Sequence, residues 1–153
     1  MILATLAYLK KDNQTLMIHR VKKQNDIHEG KWNGLGGKFE NGESPEDCVI
    51  REVEEESGFK AKAPKLHGFI AFPKFKDNED WHVFIFTITE FEGTIIDSDE
   101  GNLEWIDDDK IMDLNLWPGD RIFIPWIIEN KPFFSAKFEY ENKELVRHEV
   151  NFY

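Results

Sequence analysis

Apolar residues occur along most of this chain in alternating or continuous runs that are typical of β-strands. Seven such runs, each bounded by turn-type residues, occupy 2–9, 15–21, 66–72, 82–89, 103–106, 133–140 and 145–152. Polar residues at 11–14 and 141–144 separate neighbouring runs and predict two tight hairpins. The pattern therefore predicts a fold in which strands dominate and helices are few.

A first helix is predicted over 45–57 by signals at both of its ends. Ser44 is a favourable N-cap, Pro45 fits the first helical position, and Asp47 can complete a capping box. Gly58 follows the last helical residue and can adopt the left-handed conformation that ends many helices. The start and stop signals agree on the same segment.

A second helix is predicted from about 120 to 129, downstream of Pro118. Its residues are largely apolar, and Pro125 inside it predicts a kink or an early break because proline has no backbone N–H. A mixed β-sheet with these two helices packed against it belongs to the α/β (α+β) class.

The length of 153 residues suits one domain, which we expect to span 1–153. The single cysteine, Cys48, excludes an internal disulfide and any zinc site built on paired cysteines, which suits a reducing cytoplasm. The five histidines show no zinc-ligand spacing and are expected to be structural or exposed. Because the N-terminal apolar run is too short to span a bilayer and lacks signal-peptide features, we expect a cytoplasmic protein without a membrane partner.

Acidic residues concentrate in two segments of a chain whose formal net charge is −11. Residues 37–59 contain eight acids and two bases, and residues 97–110 contain seven acids and one base. Such a surface repels nucleic-acid polymers, whose binding depends on many Lys and Arg contacts to phosphates. The two clusters instead suggest cation binding, with a solubilising surface as the alternative, which is favoured for the second cluster taken alone.

Three glutamates of the first helix, Glu52, Glu55 and Glu56, lie within an arc of about 100° at the helical period. Val49 and Val53 form an apolar stripe beside them that can dock on the sheet. Like charges at this spacing repel, and Mg²⁺ would offset the repulsion because it prefers carboxylate oxygens. An ordinary solvated helix face is the alternative, and the spacing of the wider pattern argues against it.

Other residues near this helix can support a metal site. Arg51 can hold one carboxylate in position, with Glu43 of the preceding loop as a candidate. Gly36 and Gly37 allow a close backbone approach that leaves a carbonyl free to face the same ion. Lys23, which precedes this acidic region, is a candidate for contact with substrate phosphates.

Residues 37–59, GKFENGESPEDCVIREVEEESGF, resemble the Nudix box at every defining position. The resemblance implies an α/β/α sandwich and hydrolysis of a nucleoside diphosphate linked to another group. It also implies Mg²⁺ or Mn²⁺ held by Glu52, Glu55 and Glu56, with the carbonyl of Gly37 as a further ligand. Arg51 matches a supporting position of the same motif, as does Glu43.

Three further segments resemble the MutT-type enzymes that act on oxidised purine nucleoside triphosphates: 30–38, 98–100 and 116–120. That likeness implies that Asn33, Trp117 and Asp120 hold the base, whose flat ring needs an apolar surface and edge-directed polar groups. It also implies that Glu100 lies at the metal site. Gly119 departs from the pattern, because the mammalian members have two adjacent aspartates here, which leaves the breadth of base recognition open.

These features together predict a Mg²⁺-dependent pyrophosphohydrolase of purine nucleoside triphosphates. The substrate expected from the resemblance is 8-oxo-dGTP, cleaved to the monophosphate and pyrophosphate. Glu56 or Glu100 is the expected general base, and the sequence does not choose between them. The alternatives are a Nudix hydrolase of a nucleotide sugar, a dinucleotide or a capped RNA end, and a nucleotide-binding sensor without catalysis.

Overall fold

The structure, a computed structural model, describes residues 1–153. It contains ten β-strands, two α-helices and one 3₁₀ helix, which covers Asp108–Asp113. The strands and helices are β1 (Ile2–Lys11), β2 (Gln14–His19), β3 (Trp32–Asn33), α1 (Pro45–Ser57), β4 (Lys60–Lys62), β5 (Lys65–Lys76), β6 (Glu79–Ile88), β7 (Glu90–Glu92), β8 (Asn102–Asp107), α2 (Asp120–Ile128), β9 (Phe134–Glu141) and β10 (Glu144–Phe152).

Eight of the strands form one mixed sheet, in the order β10-β9-β5-β6-β1-β2-β3, with β8 also paired to β2. The β1/β6 and β5/β9 pairs are parallel and the other pairs are antiparallel. β4 and β7 form a separate two-stranded sheet. The sheet order brings residues distant in sequence, such as those of β2 and β8, side by side.

Successive residues of the central strands belong to different hydrophobic cores, because side chains alternate between the faces of a sheet. In β1, Ala7 and Leu9 pack in the core that includes Val49 and Val53 of α1. Tyr8, between them, packs in the core that includes Phe123 of α2. The helices therefore cover opposite faces of the sheet, as in an α/β/α sandwich.

The seven long strands and both helices expected from the sequence are present, and the mixed fold class with few helices is confirmed. The short strands β3, β4 and β7 and the 3₁₀ helix were not predicted, because two or three residues carry no recognisable period. The expected early break at Pro125 is wrong: α2 continues to Ile128, with Phe123, Ile124 and Ile127 buried. The structure contains no helix with the length and apolar character needed to cross a membrane.

Candidate active site

Helix α1 is fixed at both ends and along one side. The hydroxyl of Ser44 accepts a hydrogen bond from the backbone N–H of Asp47 at 3.0 Å, and the Asp47 carboxylate accepts from the N–H of Ser44 at 3.1 Å. Gly58 ends the helix in the left-handed conformation with φ 84°. Val49 and Val53 are fully buried against the sheet. This docking turns Glu52 and Glu56 toward a cleft at the end of the sheet.

The cleft has a volume of about 510 Å³ and contains both an acidic end and an aromatic end. The acidic end is lined by Gly37, Glu52, Glu56 and Glu100. The aromatic end is lined by Asn33, Phe72, Phe75, Trp81, Trp117, Asp120 and Tyr140. The basic side chains Arg20, Lys23, Lys38 and Lys76 also line it. Residues from both acidic segments of the sequence thus meet in one cavity.

Carboxylates at the acidic end destabilise one another in their ionised forms. Burial, followed by repulsion from Glu52 and Glu100, raises the pKa of Glu56 to about 8. Burial also raises the pKa of Glu52. A Cβ atom at Gly37 would lie 2.5 Å from the Glu52 carboxyl group, so only glycine leaves room for that group. Close, partly buried carboxylates of this kind can be ionised together only with a compensating positive charge nearby.

Arg51 provides part of that charge within α1. Its guanidinium donates to both carboxylate oxygens of Glu43, at 2.7 and 2.9 Å, and lowers the pKa of Glu43 to about 2. It also donates to Glu52 at 2.8 Å and to Glu55 at 3.3 Å. Arg51 therefore positions the glutamates and does not itself line the cleft.

Two of the expected metal ligands differ in placement from the sequence-based expectation. The side chain of Glu55 is 57% exposed and does not line the cleft. The carbonyl of Gly37 accepts hydrogen bonds from the N–H of Thr5 at 2.9 Å, from the Thr5 hydroxyl at 3.5 Å and from the Cys48 thiol at 3.6 Å, so it is not left free for an ion. No three His, Cys, Asp or Glu side chains lie close enough, as placed, to hold a metal ion. The donor set of Glu52, Glu56 and Glu100 nevertheless fits a hard divalent cation in its chemistry.

Glu100 reaches the acidic end from the loop before β8 and is held by two cations. Lys23 lies 2.6 Å from one of its carboxylate oxygens, and Arg20 lies 3.2 Å from the other. Arg20 also pairs with Asp26 at 2.7 Å. The structure thus places Lys23 at the acidic end, where it contacts a carboxylate, and its contact with substrate phosphates stays a prediction.

Asn33, Trp117 and Asp120 come together at the aromatic end and are largely buried. Trp117 is only 4% exposed, because Phe75 and Tyr140 pack against its ring at centroid distances of 5.3 and 5.5 Å. Burial raises the pKa of Asp120 to about 7, against the opposing effect of Lys31. Its carboxyl group can therefore be neutral or ionised near physiological pH.

The hydroxyl group of Tyr140 occupies the space beside Gly119, where a larger residue would place its side chain. The Tyr140 hydroxyl accepts a hydrogen bond from the N–H of Gly119 at 2.7 Å. A Cβ atom at position 119 would lie 2.5 Å from that hydroxyl oxygen. The second aspartate of the mammalian pattern does not fit here without a shift of Tyr140.

Several residues of the cleft were not identified from the sequence. His28, expected to be structural or exposed, lines the cleft and contacts Trp117, and Asp26 lines it nearby. Of these residues, only Arg20 has a detectable sequence signal, because it is a charged residue directly after a buried strand. The aromatic residues Phe75 and Tyr140 belong to alternating strand segments and carried no distinct signal.

A profile of the NUDIX domain matches residues 2–127, which is most of the chain. The chain belongs to the Nudix family. This Nudix hydrolase is 33% identical over 124 residues to the oxidized purine nucleoside triphosphate hydrolase of Danio rerio, covering 81% of this chain and 79% of that relative. It is 31% identical over 141 residues to the uncharacterized Nudix hydrolase YvcI of Bacillus subtilis, covering 89% of this chain and 85% of that protein.

The crystal structure of a mutator MutT protein from Bacillus halodurans has the same fold as this Nudix hydrolase. The TM-score is 0.87 at 29% identity, and the match covers 99% of this chain and 98% of the MutT protein. The MutT-type resemblance and the hydrolase class expected from the sequence are therefore confirmed.

Proposed function

We propose that this Nudix hydrolase is a Mg²⁺-dependent pyrophosphohydrolase of purine nucleoside triphosphates, with 8-oxo-dGTP as the preferred substrate. It would release 8-oxo-dGMP and pyrophosphate, acting as one domain over 1–153 in the cytoplasm. The observation that carries the proposal is one cleft with partly buried carboxylates at one end and a buried polar pair, Asn33 and Asp120, at the other. The name of the Danio rerio relative supports the same substrate class.

Glu52, Glu56 and Glu100 are the residues that would hold Mg²⁺, or Mn²⁺ in its place. The bound ion would neutralise phosphate charge and lower the pKa of the attacking water. The side chain of Glu55 lies outside the cleft and is hydrogen-bonded to Arg51. Glu55 would become a metal ligand only after that hydrogen bond breaks. Gly37 would supply its carbonyl to the same site by exchanging one of the hydrogen bonds that it accepts from Thr5 and Cys48.

Glu56 is the better candidate for general base. Both carboxylate oxygens of Glu100 are engaged, one by Lys23 and one by Arg20. Glu56 forms no ion pair in the structure, so its carboxylate, once a bound cation stabilises the ionised form, is free to accept a proton. Glu56 would take a proton from water as the water oxygen bonds to the α- or β-phosphorus. The P–O bond that bridges these two phosphates would break, and the monophosphate and pyrophosphate would separate. Lys23 would turn from Glu100 to the substrate phosphates, which frees one Glu100 oxygen for the cation while Arg20 keeps its pairing with the other oxygen.

Asn33 and Asp120 would read the edge of the purine. The amide of Asn33 offers both a donor and an acceptor. Asp120 would accept hydrogen bonds from two N–H groups when ionised, or donate one hydrogen bond when neutral. Its pKa of about 7 permits either form. Trp117 would supply part of the apolar surface beside the base. Tyr140 leaves no room for a second aspartate at position 119, so Asp120 is the single aspartate here. One aspartate favours a guanine-type base over a broad range of purines.

The first test is product analysis with 8-oxo-dGTP, dGTP, ADP-ribose and a dinucleoside polyphosphate in the presence of Mg²⁺. We expect the highest kcat/KM with 8-oxo-dGTP and release of pyrophosphate rather than phosphate. Glu56→Gln should lower kcat by about 10²-fold or more while leaving the circular dichroism spectrum unchanged. Wild-type turnover in that variant would refute its assignment as the base.

Two alternatives have distinct outcomes in the same assay. Preferred cleavage of ADP-ribose or of the dinucleotide would indicate a different leaving group at the same acidic end. Binding of 8-oxo-dGTP without pyrophosphate release from any nucleotide would indicate a sensor without catalysis.

A further inference from the structure

Trp117 is hydrogen-bonded by a histidine from a distant loop. Its indole N–H donates to Nδ1 of His28 at 2.8 Å, although 89 positions separate the two residues. The rings meet edge to face, with a centroid distance of 5.6 Å and an interplanar angle of 77°. Because Nδ1 accepts, the hydrogen of the neutral imidazole lies on Nε2.

The loop that carries His28 is itself held in place. The backbone N–H of His28 donates to the carboxylate of Asp26 at 3.2 Å, and Asp26 pairs with Arg20 at 2.7 Å. The backbone N–H of Gly30 donates to the carbonyl of Arg20 at 2.7 Å, which ties the loop to the end of β2. These contacts hold the loop, and with it His28, in position beside Trp117.

Burial and nearby positive charge keep Nδ1 of His28 unprotonated, so it can accept the hydrogen bond from Trp117. Burial, followed by the charge of Arg20, lowers the pKa of His28 to about 4, while Asp26 opposes the shift and Lys76 and Lys143 add to it. A protonated imidazole has two donors and cannot accept from an indole N–H. His28 thus stays neutral, with a free lone pair on Nδ1, throughout the physiological range.

A hydrogen bond to the indole N–H restricts rotation of the ring about its side-chain bonds. Phe75 and Tyr140 contact Trp117 only through ring faces and edges, and the Lys31 ammonium lies 5.5 Å from the centroid of its ring. Such contacts permit small rotations more readily than a directional hydrogen bond does. His28 is the one hydrogen-bond partner of the Trp117 side chain in the structure.

We propose that His28 is a positioning residue that fixes the plane of Trp117 and, through it, the surface that holds the purine base. This inference rests on the proposed function, because it assigns Trp117 to the base. His28 contacts no reacting atom in this role. Loss of its acceptor should weaken substrate binding and transition-state binding equally, which raises KM and leaves kcat nearly unchanged.

Two substitutions distinguish the effect of the His28 hydrogen-bond acceptor from the effect of its aromatic ring. His28→Phe retains an aromatic ring beside Phe75 and removes the acceptor. His28→Asn removes the ring, and its side-chain oxygen lies the same number of bonds from the backbone as Nδ1, so it restores the acceptor. His148→Phe is the control, because His148 stacks on Phe138 outside the cleft.

We expect His28→Phe to raise KM for the triphosphate by about tenfold, the effect of losing one hydrogen bond to a buried donor. kcat should stay within about twofold. His28→Asn should recover most of the wild-type KM, and His148→Phe should leave it unchanged. An unchanged KM in His28→Phe, or an equal rise in His28→Asn, would overturn the proposal, since the second result would indicate ring packing alone.

A measurement independent of turnover distinguishes this inference from the proposed function. The ¹H–¹⁵N signal of the Trp117 indole, assigned with Trp117→Phe, should lie downfield and exchange slowly with solvent in the wild-type protein. It should move upfield and exchange faster in His28→Phe but not in His28→Asn. Fast exchange in the wild-type protein would contradict the hydrogen bond, even if the substituted proteins failed to fold. A protein that hydrolyses no nucleotide but shows the expected indole signals would refute only the proposed function.

Discussion

Asp120 is a carboxyl group held where water has little access, with only 7% of the residue exposed. Burial raises its pKa from 3.8 to about 7. In the unfolded chain the same group ionises near its ordinary pKa, so folding and proton binding are linked. The residue proposed to read the base therefore also affects stability.

The sign of this effect follows from the two pKa values. Below about pH 4 both states are protonated, and the neutral form is accommodated in the fold. As the pH rises from about 4 to 7, the unfolded state ionises first, so the free energy of unfolding falls. The difference in pKa corresponds to a loss of about 4 kcal/mol at most, and no further change is expected above about pH 7.

The free energy of unfolding of Asp120→Asn should lack this pH-dependent loss, because an amide of the same shape does not ionise. We expect the free energy of unfolding of the wild-type protein to fall, relative to that of the variant, between about pH 4 and 7. Urea denaturation in the presence of a chelator measures both proteins at each pH. A constant difference across this range would show that the buried carboxyl has an ordinary pKa.

At the scale of the element, α1 depends on a capping box that involves no residue of the cleft. Ser44 and Asp47 exchange hydrogen bonds at its N-terminus. Removal of the cap by Ser44→Ala should destabilise the protein by about 1 kcal/mol and lower Tm by roughly 2 to 4 °C. Ser44→Asp keeps a side-chain acceptor and should leave Tm nearly unchanged. Calorimetry of the two variants checks the prediction, and equal Tm values would show that the cap contributes nothing measurable.

The same helix shows how far local sequence signals reach. Ser44, Pro45 and Gly58 set its limits correctly at Pro45–Ser57, because capping depends on residues within one turn. The helical period also placed Glu52 and Glu56 on one side. It did not reveal that Glu55 would turn outward to Arg51, because side-chain direction depends on the partners that the fold provides.

At the scale of the whole molecule, both acidic segments of a chain with net charge −11 contribute carboxylates to one cleft. Glu52 and Glu56 come from the first segment and Glu100 from the second. Since an ion that binds only the folded state stabilises it, Mg²⁺ at ten times its Kd should add about 1.4 kcal/mol. This corresponds to a rise in Tm of roughly 3 to 6 °C for a chain of this size.

A thermal scan with and without Mg²⁺, at matched ionic strength in NaCl, measures that rise. Glu52→Gln should reduce the rise, whereas Glu54→Gln should retain it, because Glu54 is exposed and lies outside the cleft. No rise in the wild-type protein would count against a metal site at the acidic end. An equal rise in NaCl alone would indicate general screening of the negative charge.

The sequence by itself determined the seven long strands, the two α-helices and the side of α1 on which Glu52 and Glu56 lie. Strand periods, the caps of α1 and the spacing of Glu52 and Glu56 are local properties, set by backbone geometry over a few residues. Asn33, Trp117 and Asp120 were identified only through the family resemblance, since nothing local distinguishes a base-contacting tryptophan from a core one.

Tertiary structure alone decided which distant residues meet. The contact of His28 with Trp117, the ion pair of Arg20 with Glu100 and the exclusion of a side chain at Gly119 by Tyr140 all depend on the packing of separate strands and loops. Such contacts follow from sheet order and strand register, which are fixed by the summed burial of many residues. A short stretch of sequence carries no signal for them.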